Sequence, residues 1–266
     1  MKQLTSDDAR IVYTTTGNGA PVILLHPFPV HHEFWIAAGQ TLSNRYRLIV
    51  PDLRGHGDSE VGVGPATMAK HALDLAKLCD QEGVGRAAFI GVSIGGYILF
   101  EFWRRFRERV ETLVLCNTRA SAETEQSRAS RLQSAADVME RGMDPFIESM
   151  VPKLLGRTTL ETRPDLVDTA RQMMGRMSPE DVNQVQRGMA DRPDSIPTLK
   201  TINVPTLVLA GEEDAAIPAA EAEIMREKIA GATLRVIPKA GHYAAFEQPQ
   251  AVGLLLRQFL DSAYKR

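Results

Sequence analysis

Ser93 lies in Gly91-Val92-Ser93-Ile94-Gly95, between the apolar run Ala88-Phe89-Ile90 and a helical pattern that begins at Ile94. A serine flanked by glycines at a strand-to-helix turn is the arrangement that presents a hydroxyl for nucleophilic attack. In so tight a turn, side chains at positions 91 and 95 would meet neighbouring elements, and the following helix offers the positive end of its dipole. A serine hydroxyl is too weak an acid to attack unaided at neutral pH and needs an adjacent base. His242, in Gly241-His242-Tyr243, and Asp214, in Gly211-Glu212-Glu213-Asp214, each follow a further apolar run. The order serine, acid, histidine is one of the known chain orders of a Ser-His-Asp triad. The chemistry would be acyl transfer through an acyl-serine, with His242 as the base and Asp214 fixing its tautomer.

Residues so far apart in sequence converge if each sits just after a strand of a parallel sheet, because all such positions lie along one edge. The chain supplies those strands. Arg10 to Thr16, Pro21 to His26, Tyr46 to Val50, Arg86 to Val92 and Val110 to Cys116 read as strands, several of them continuously apolar, as in a sheet covered on both faces. Between them, Phe34 to Ser43, Ala66 to Glu82 and Ile94 to Arg105 read as helices, with Ala69, Leu73, Ala76 and Leu78 near one face of the second. Strand-helix alternation argues for an α/β domain.

The alternation stops between about Arg119 and Lys200. That stretch is polar and helical, broken at Pro145, Pro152, Pro164, Pro179, Pro193 and Pro197, and holds seven of the ten methionines. Alternation resumes after Pro205. The middle therefore reads as a helical insertion in one domain. Its methionines either pack inside it or line an adaptable apolar pocket wall that accepts short to medium acyl chains and disfavours charge near the scissile bond.

Four stretches carry a resemblance: His26-Pro27-Phe28-Pro29, Asp52-Leu53-Arg54-Gly55-His56-Gly57-Asp58-Ser59, the Ser93 turn, and Gly211 to Asp214 together with Gly241-His242. On these the chain resembles the α/β-hydrolase superfamily over nearly its whole length. It is most similar to small carboxylesterases, 3-oxoadipate enol-lactonase-like proteins and cofactor-free haloperoxidase-like esterases. The resemblance implies the α/β-hydrolase fold, with residues 1–118 and 201–266 as core and 119–200 as a helical cap. It favours Asp214 over the adjacent Glu212 and Glu213, because the family loop places its acid there with a proline, here Pro218, four residues later. Relatives that carry the acid after the preceding strand have no counterpart here, since Asn117 holds no charge. It also implies an oxyanion hole from the N–H groups of Ile94 and Phe28; proline at position 27 has no N–H to give. The Asp52 to Ser59 turn is implied to be structural, and the substrate to be a small ester or lactone, with no cofactor. Candidate pocket residues are Trp35, Met143, Phe146, Met150, Ile217, Tyr243 and Phe246.

A serine at position 93 argues against dehalogenase and epoxide hydrolase chemistry, where an aspartate is needed. Two rivals stand beside the esterase reading: a C–C bond hydrolase or dedicated enol-lactonase, and a slow-turnover small-molecule sensor. A net charge of −2 points to neither nucleic acid nor an anionic membrane. No histidine pair has metal-ligand spacing with a third ligand, so no metal is expected. Cys79 and Cys116 read as buried reduced thiols. No apolar run reaches about 18 residues, and the amino terminus lacks an apolar signal-peptide region; the expected location is the cytoplasm.

Overall fold

A computed structural model describes residues 1–264. Eight strands form one sheet: β1 (Lys2–Ser6), β2 (Ala9–Thr16), β3 (Ala20–Leu25), β4 (Tyr46–Pro51), β5 (Ala87–Val92), β6 (Val110–Cys116), β7 (Thr206–Gly211) and β8 (Thr233–Ile237). Their spatial order is β1-β2-β4-β3-β5-β6-β7-β8. β1 and β2, and β2 and β4, pair antiparallel; every later pair is parallel. The two central strands explain their composition. All six residues of β5 are buried, as are the last four of β3, so both read as unbroken apolar runs. β1 has too few apolar residues to be visible in sequence; only Leu4 and Ser6 turn inward.

The helices are α1 (Ile36–Gly39), α2 (Met68–Gln81), α3 (Ile94–Phe106), α4 (Glu125–Arg141), α5 (Met143–Leu154), α6 (Arg157–Thr162), α7 (Pro164–Met174), α8 (Pro179–Ala190), α9 (Ile196–Leu199), α10 (Ala219–Lys228), α11 (Ala244–Glu247) and α12 (Pro249–Ala263). Two sequence readings are corrected. The helix expected over Phe34 to Ser43 is a 3-10 turn, His32–Trp35, followed by the single turn of α1, which ends where Gly39 packs against Leu48. In α2 the buried face is Met68, Ala72, Leu75, Ala76, Leu78 and Cys79, whereas Leu73 faces outward.

From β6 to β7 the chain runs through α4 to α9 with no strand. Here α4 packs on α5 and α8, and α7 on α5 and α6. Several prolines expected as breaks are starts: Pro164, Pro179 and Pro197 lie in the first turns of α7, α8 and α9, where a missing N–H costs nothing. Pro152 sits inside α5.

Strand order positions the site. β3 lies between β4 and β5, so the chain leaves it toward one side and returns on the other. That reversal opens a crevice at the carboxyl ends of β3 and β5. Phe28 follows β3 and Ser93 follows β5. Leu25 pairs with Gly91, and Gly91 with Leu115, so these ends are level.

Candidate active site

Ser93 begins the turn into α3 with φ 55° and ψ −114°, a backbone conformation that a residue with a side chain rarely adopts. Three bonds fix it. Its N–H donates to the Cys116 carbonyl at 3.0 Å. Its carbonyl accepts from Gly96 N–H at 2.9 Å and from the Thr118 hydroxyl at 2.7 Å. The glycines are required by contact: a Cβ on Gly91 would lie 2.5 Å from the Gly95 carbonyl carbon, and one on Gly95 would lie 2.9 Å from Leu25 Cβ. The residue remains 9% exposed.

His242 and Asp214 meet above the ends of β7 and β8. Nδ1 of His242 lies 2.9 Å from Asp214 Oδ2, the same oxygen that accepts from Asn117 Nδ2 at 2.9 Å. Oδ1 of Asp214 accepts from the N–H groups of Ala216 and Ile217 at 2.8 and 3.0 Å. Burial pushes this carboxyl up, but the facing imidazole, its hydrogen bond, the Asn117 amide and the Ile217 N–H together hold it below the usual aspartate range. Asn117 also donates to the Gly241 carbonyl at 3.2 Å, so one amide joins the acid to the residue preceding the histidine. Such an Asp-His pair leaves Nε2 of His242 as the proton acceptor.

Among the described residues, neither the Phe28 nor the Ile94 N–H has a protein acceptor. The Phe28 loop is held on both sides. His26 accepts from Leu53 N–H through Nε2 and pairs through Nδ1 with the Pro27 carbonyl, which makes it a neutral structural ring. Burial holds its pKa well below the usual histidine value. On the other side, the Tyr243 hydroxyl donates to the Phe28 carbonyl at 3.0 Å. The Phe28–Pro29 peptide is cis.

The glycine-rich turn after β4 is a buried polar scaffold. Arg54 makes two bonds to Asp74, at 3.0 and 2.8 Å, and one to Asp8 at 2.6 Å. Asp52 accepts from His32 N–H, His32 Nδ1 and Asp58 N–H. The fold also gives the two neighbouring histidines a third partner that spacing concealed: His31, His32 and Asp52 place donor atoms within 4.8 Å of one another. The hydrogen bonds just named already engage the Asp52 carboxylate and the His32 ring.

The candidate pocket residues divide. The Phe146 ring meets Phe28 edge-on at 5.9 Å, and the half-buried Met143 and Met150 flank it at helical spacing on α5. Ile217 is tied by its N–H to Asp214. Phe246 stacks on Phe34 at 6.2 Å. Tyr243 is fully buried as the anchor of Phe28. Trp35 instead borders a separate cavity of about 190 Å³ with Thr14, Leu24, Leu48 and Val50. Met173, Met174, Met177 and Met189 are buried in the helical layer, and Met139 is exposed.

Two glutamates near the site carry connections that the sequence did not reveal. Glu247 is 4% exposed and accepts from Gly241 N–H at 2.9 Å, Gly156 N–H at 2.8 Å and the Thr159 hydroxyl at 2.6 Å. Burial dominates there and raises its pKa despite those donors. Glu213 accepts from Thr158 N–H at 2.7 Å and the Thr158 hydroxyl at 2.6 Å. Together they seat the start of α6 on the loops bearing Asp214 and His242. The seat is so close that a Cβ on Gly241 would fall 2.2 Å from Gly156 N. Their bonds to Gly156, Thr158 and Thr159 come only from a distant pairing in the fold, so no local pattern marks them.

A model of the alpha/beta hydrolase fold family matches residues 20–249. The chain is similar to 3-oxoadipate enol-lactonase 2 of Acinetobacter baylyi, 28% identical over 250 residues that cover 93% of this chain and 92% of that protein. Among solved structures it is similar to a thermophilic esterase from Thermogutta terrifontis with malate bound (TM-score 0.93, 39% identity, 96% of this chain and 94% of that one). It is also similar to the enol-lactonase from Burkholderia xenovorans (TM-score 0.90, 25% identity, 98% of this chain and all of that one). With the sheet order and the strand-end geometry already described, these matches place the chain in the alpha/beta hydrolase fold family.

Proposed function

We propose that this protein is a serine hydrolase of small carboxylic esters or lactones, working through Ser93, His242 and Asp214. The observation that carries the reading is the pairing of His242 with Asp214 at 2.9 Å, on the same sheet edge as the serine held at positive φ. In this mechanism Ser93 Oγ attacks the acyl carbon while His242 Nε2 takes its proton. The oxyanion that forms accepts hydrogen bonds from the Phe28 and Ile94 N–H groups. Collapse breaks the bond to the leaving oxygen, which receives the proton from His242, and leaves an acyl-serine. A water then attacks the acyl carbon, gives its proton to His242, and the acid departs as Ser93 is reprotonated. With a lactone the leaving alcohol remains attached to the acyl chain.

The enol-lactonase names of two similar proteins and the esterase name of a third support both substrate types. We read residues 119–200 as the lid over this site, with α5 bringing Phe146 beside Phe28. No described helix is long and apolar enough to cross a membrane. The test is a panel of esters and lactones of graded chain length, run with wild-type protein beside Ser93→Ala. The reading expects a preferred substrate turned over well above about one per second, an ordinary enzymatic rate, and no turnover by the variant. Slow turnover on every member would favour the sensor.

A further inference from the structure

The single turn of α1 leaves one face of the sheet partly uncovered. The β2–β4 register sets Thr14 beside Val50 and Thr16 beside Leu48, all on that face. With Leu24 of β3 they floor the cavity of about 190 Å³ that Trp35 borders. Gly39 also borders it, and a Cβ there would come within 3.3 Å of Leu48 Cδ1, so the missing side chain keeps the space open. Leu24, Trp35, Leu48 and Val50 are all buried, which makes the interior apolar. A dry apolar cavity of about 150 Å³ holds benzene, so this one has room for a single ring with a small substituent.

Of the residues that border the cavity, His32 alone is titratable. Its Nδ1 donates to Asp52 Oδ1 at 2.7 Å. That carboxylate is braced by the N–H groups of His32 and Asp58, at 2.8 and 2.9 Å. The pairing repeats the one between His242 and Asp214, where two backbone N–H groups also brace the acid. A ring so fixed leaves Nε2 for an outside partner. Among the described residues that nitrogen has no protein partner and is not closed off, and the side chain is 14% exposed. In the neutral ring Nε2 accepts from a hydroxyl; in the protonated ring it donates to the hydroxyl oxygen. A hydroxyl therefore suits both states, and an aromatic ring suits the apolar interior beside Trp35.

We propose that this cavity is a binding site for a small monocyclic phenol, separate from the candidate active site, with the ring among Leu24, Trp35, Leu48 and Val50 and the hydroxyl on His32 Nε2. The site uses no group of the proposed triad, so it stands whether or not the hydrolase reading holds.

The probe is 4-methylphenol. Calorimetry with the wild-type protein should give a Kd below about 1 mM, a modest demand for so small a ligand. Thr14→Phe, which fills the cavity from its floor, should weaken binding by about tenfold or more. His32→Leu, which removes the hydroxyl's partner, should weaken it by about fivefold or more. The chain has two tryptophans, and Trp103 is engaged elsewhere, by Thr201 Oγ1. In Trp103→Phe the emission of Trp35 should therefore change with the same midpoint as the heat. No binding at millimolar 4-methylphenol overturns the proposal, as does binding unmoved by Thr14→Phe, which would put the ligand elsewhere, the candidate active site included. Binding unmoved by His32→Leu overturns the hydroxyl contact and with it the ligand class. If Thr14→Phe or His32→Leu does not fold, the emission of Trp35 carries the test, and binding that leaves it unchanged overturns the site.

Discussion

The hydroxyl of Tyr243 donates to the backbone carbonyl of Phe28 at 3.0 Å, across 215 positions of sequence. The residue next to the candidate base thus anchors the residue whose N–H is the candidate oxyanion donor. Removing that bond leaves a buried carbonyl unsatisfied, which costs about 1–3 kcal/mol. Tyr243→Phe should therefore lower kcat by about tenfold and reduce thermal stability, while Ser93 still reacts with a serine-directed inhibitor. Unchanged kcat with reduced stability would show that the bond supports the fold without tuning the loop.

Asp214→Asn should preserve the fold, since the amide keeps an oxygen for the Ala216 and Ile217 N–H groups, yet turnover should fall by roughly a thousandfold or more through loss of the imidazole's tautomer control. Steady-state kinetics beside a circular dichroism spectrum check both halves. A loss of less than tenfold would point to another acid.

Glu247→Gln replaces one of the acceptor oxygens by an NH2 group facing N–H and hydroxyl donors. It should destabilise the protein by about 2–4 kcal/mol, the scale of a broken buried network. The segment around Gly156 should become susceptible to limited proteolysis before the core. Glu213→Gln, whose bonds are confined to Thr158, should open the same segment more mildly, with turnover within about tenfold of wild type. Proteolysis that starts elsewhere in both variants would contradict the seating of α6 by these acids.

Acid should destabilise the fold ahead of carboxylate titration. Burial drives the pKa of His56 down from 6.5 to about 4, and holds His26 and His71 well below 6.5. As pH falls below 6.5 the unfolded chain takes protons that the folded one refuses, so stability drops across the window from 6.5 to about 4. For His56 alone the loss by pH 5 is about 2 kcal/mol. Urea unfolding at pH 7, 6 and 5 should show a falling midpoint, with a shallower fall in His56→Asn. A midpoint constant from pH 7 to 5 would contradict neutral buried imidazoles.

The elbow, the strand ends and the order of Ser93, Asp214 and His242 are legible in sequence because local rules write them: apolar strands, glycines at a close turn, an acid and a histidine just beyond strands. The helical stretch between β6 and β7 is legible as an absence of alternation. What escaped reading depends on distant pairing. Asp52 lies 20 positions from His32, Glu247 is 91 positions from Gly156, and Glu213 is 55 from Thr158. Trp35, named as a candidate pocket residue, ends the 3-10 turn before α1 and borders a cavity with Leu24 and Leu48 of the sheet. The methionines follow the same logic. A composition bias locates them in one layer, and only packing separates the buried Met173 and Met174 from the half-buried Met143 and Met150.

The most direct test of the central claim is covalent labelling with a fluorophosphonate, followed by peptide mass spectrometry. The account expects one adduct, on the peptide containing Ser93, absent in Ser93→Ala and formed at least about a hundredfold more slowly in His242→Ala, where the base is gone. An adduct on another residue, or labelling of Ser93→Ala at the wild-type rate, would contradict it.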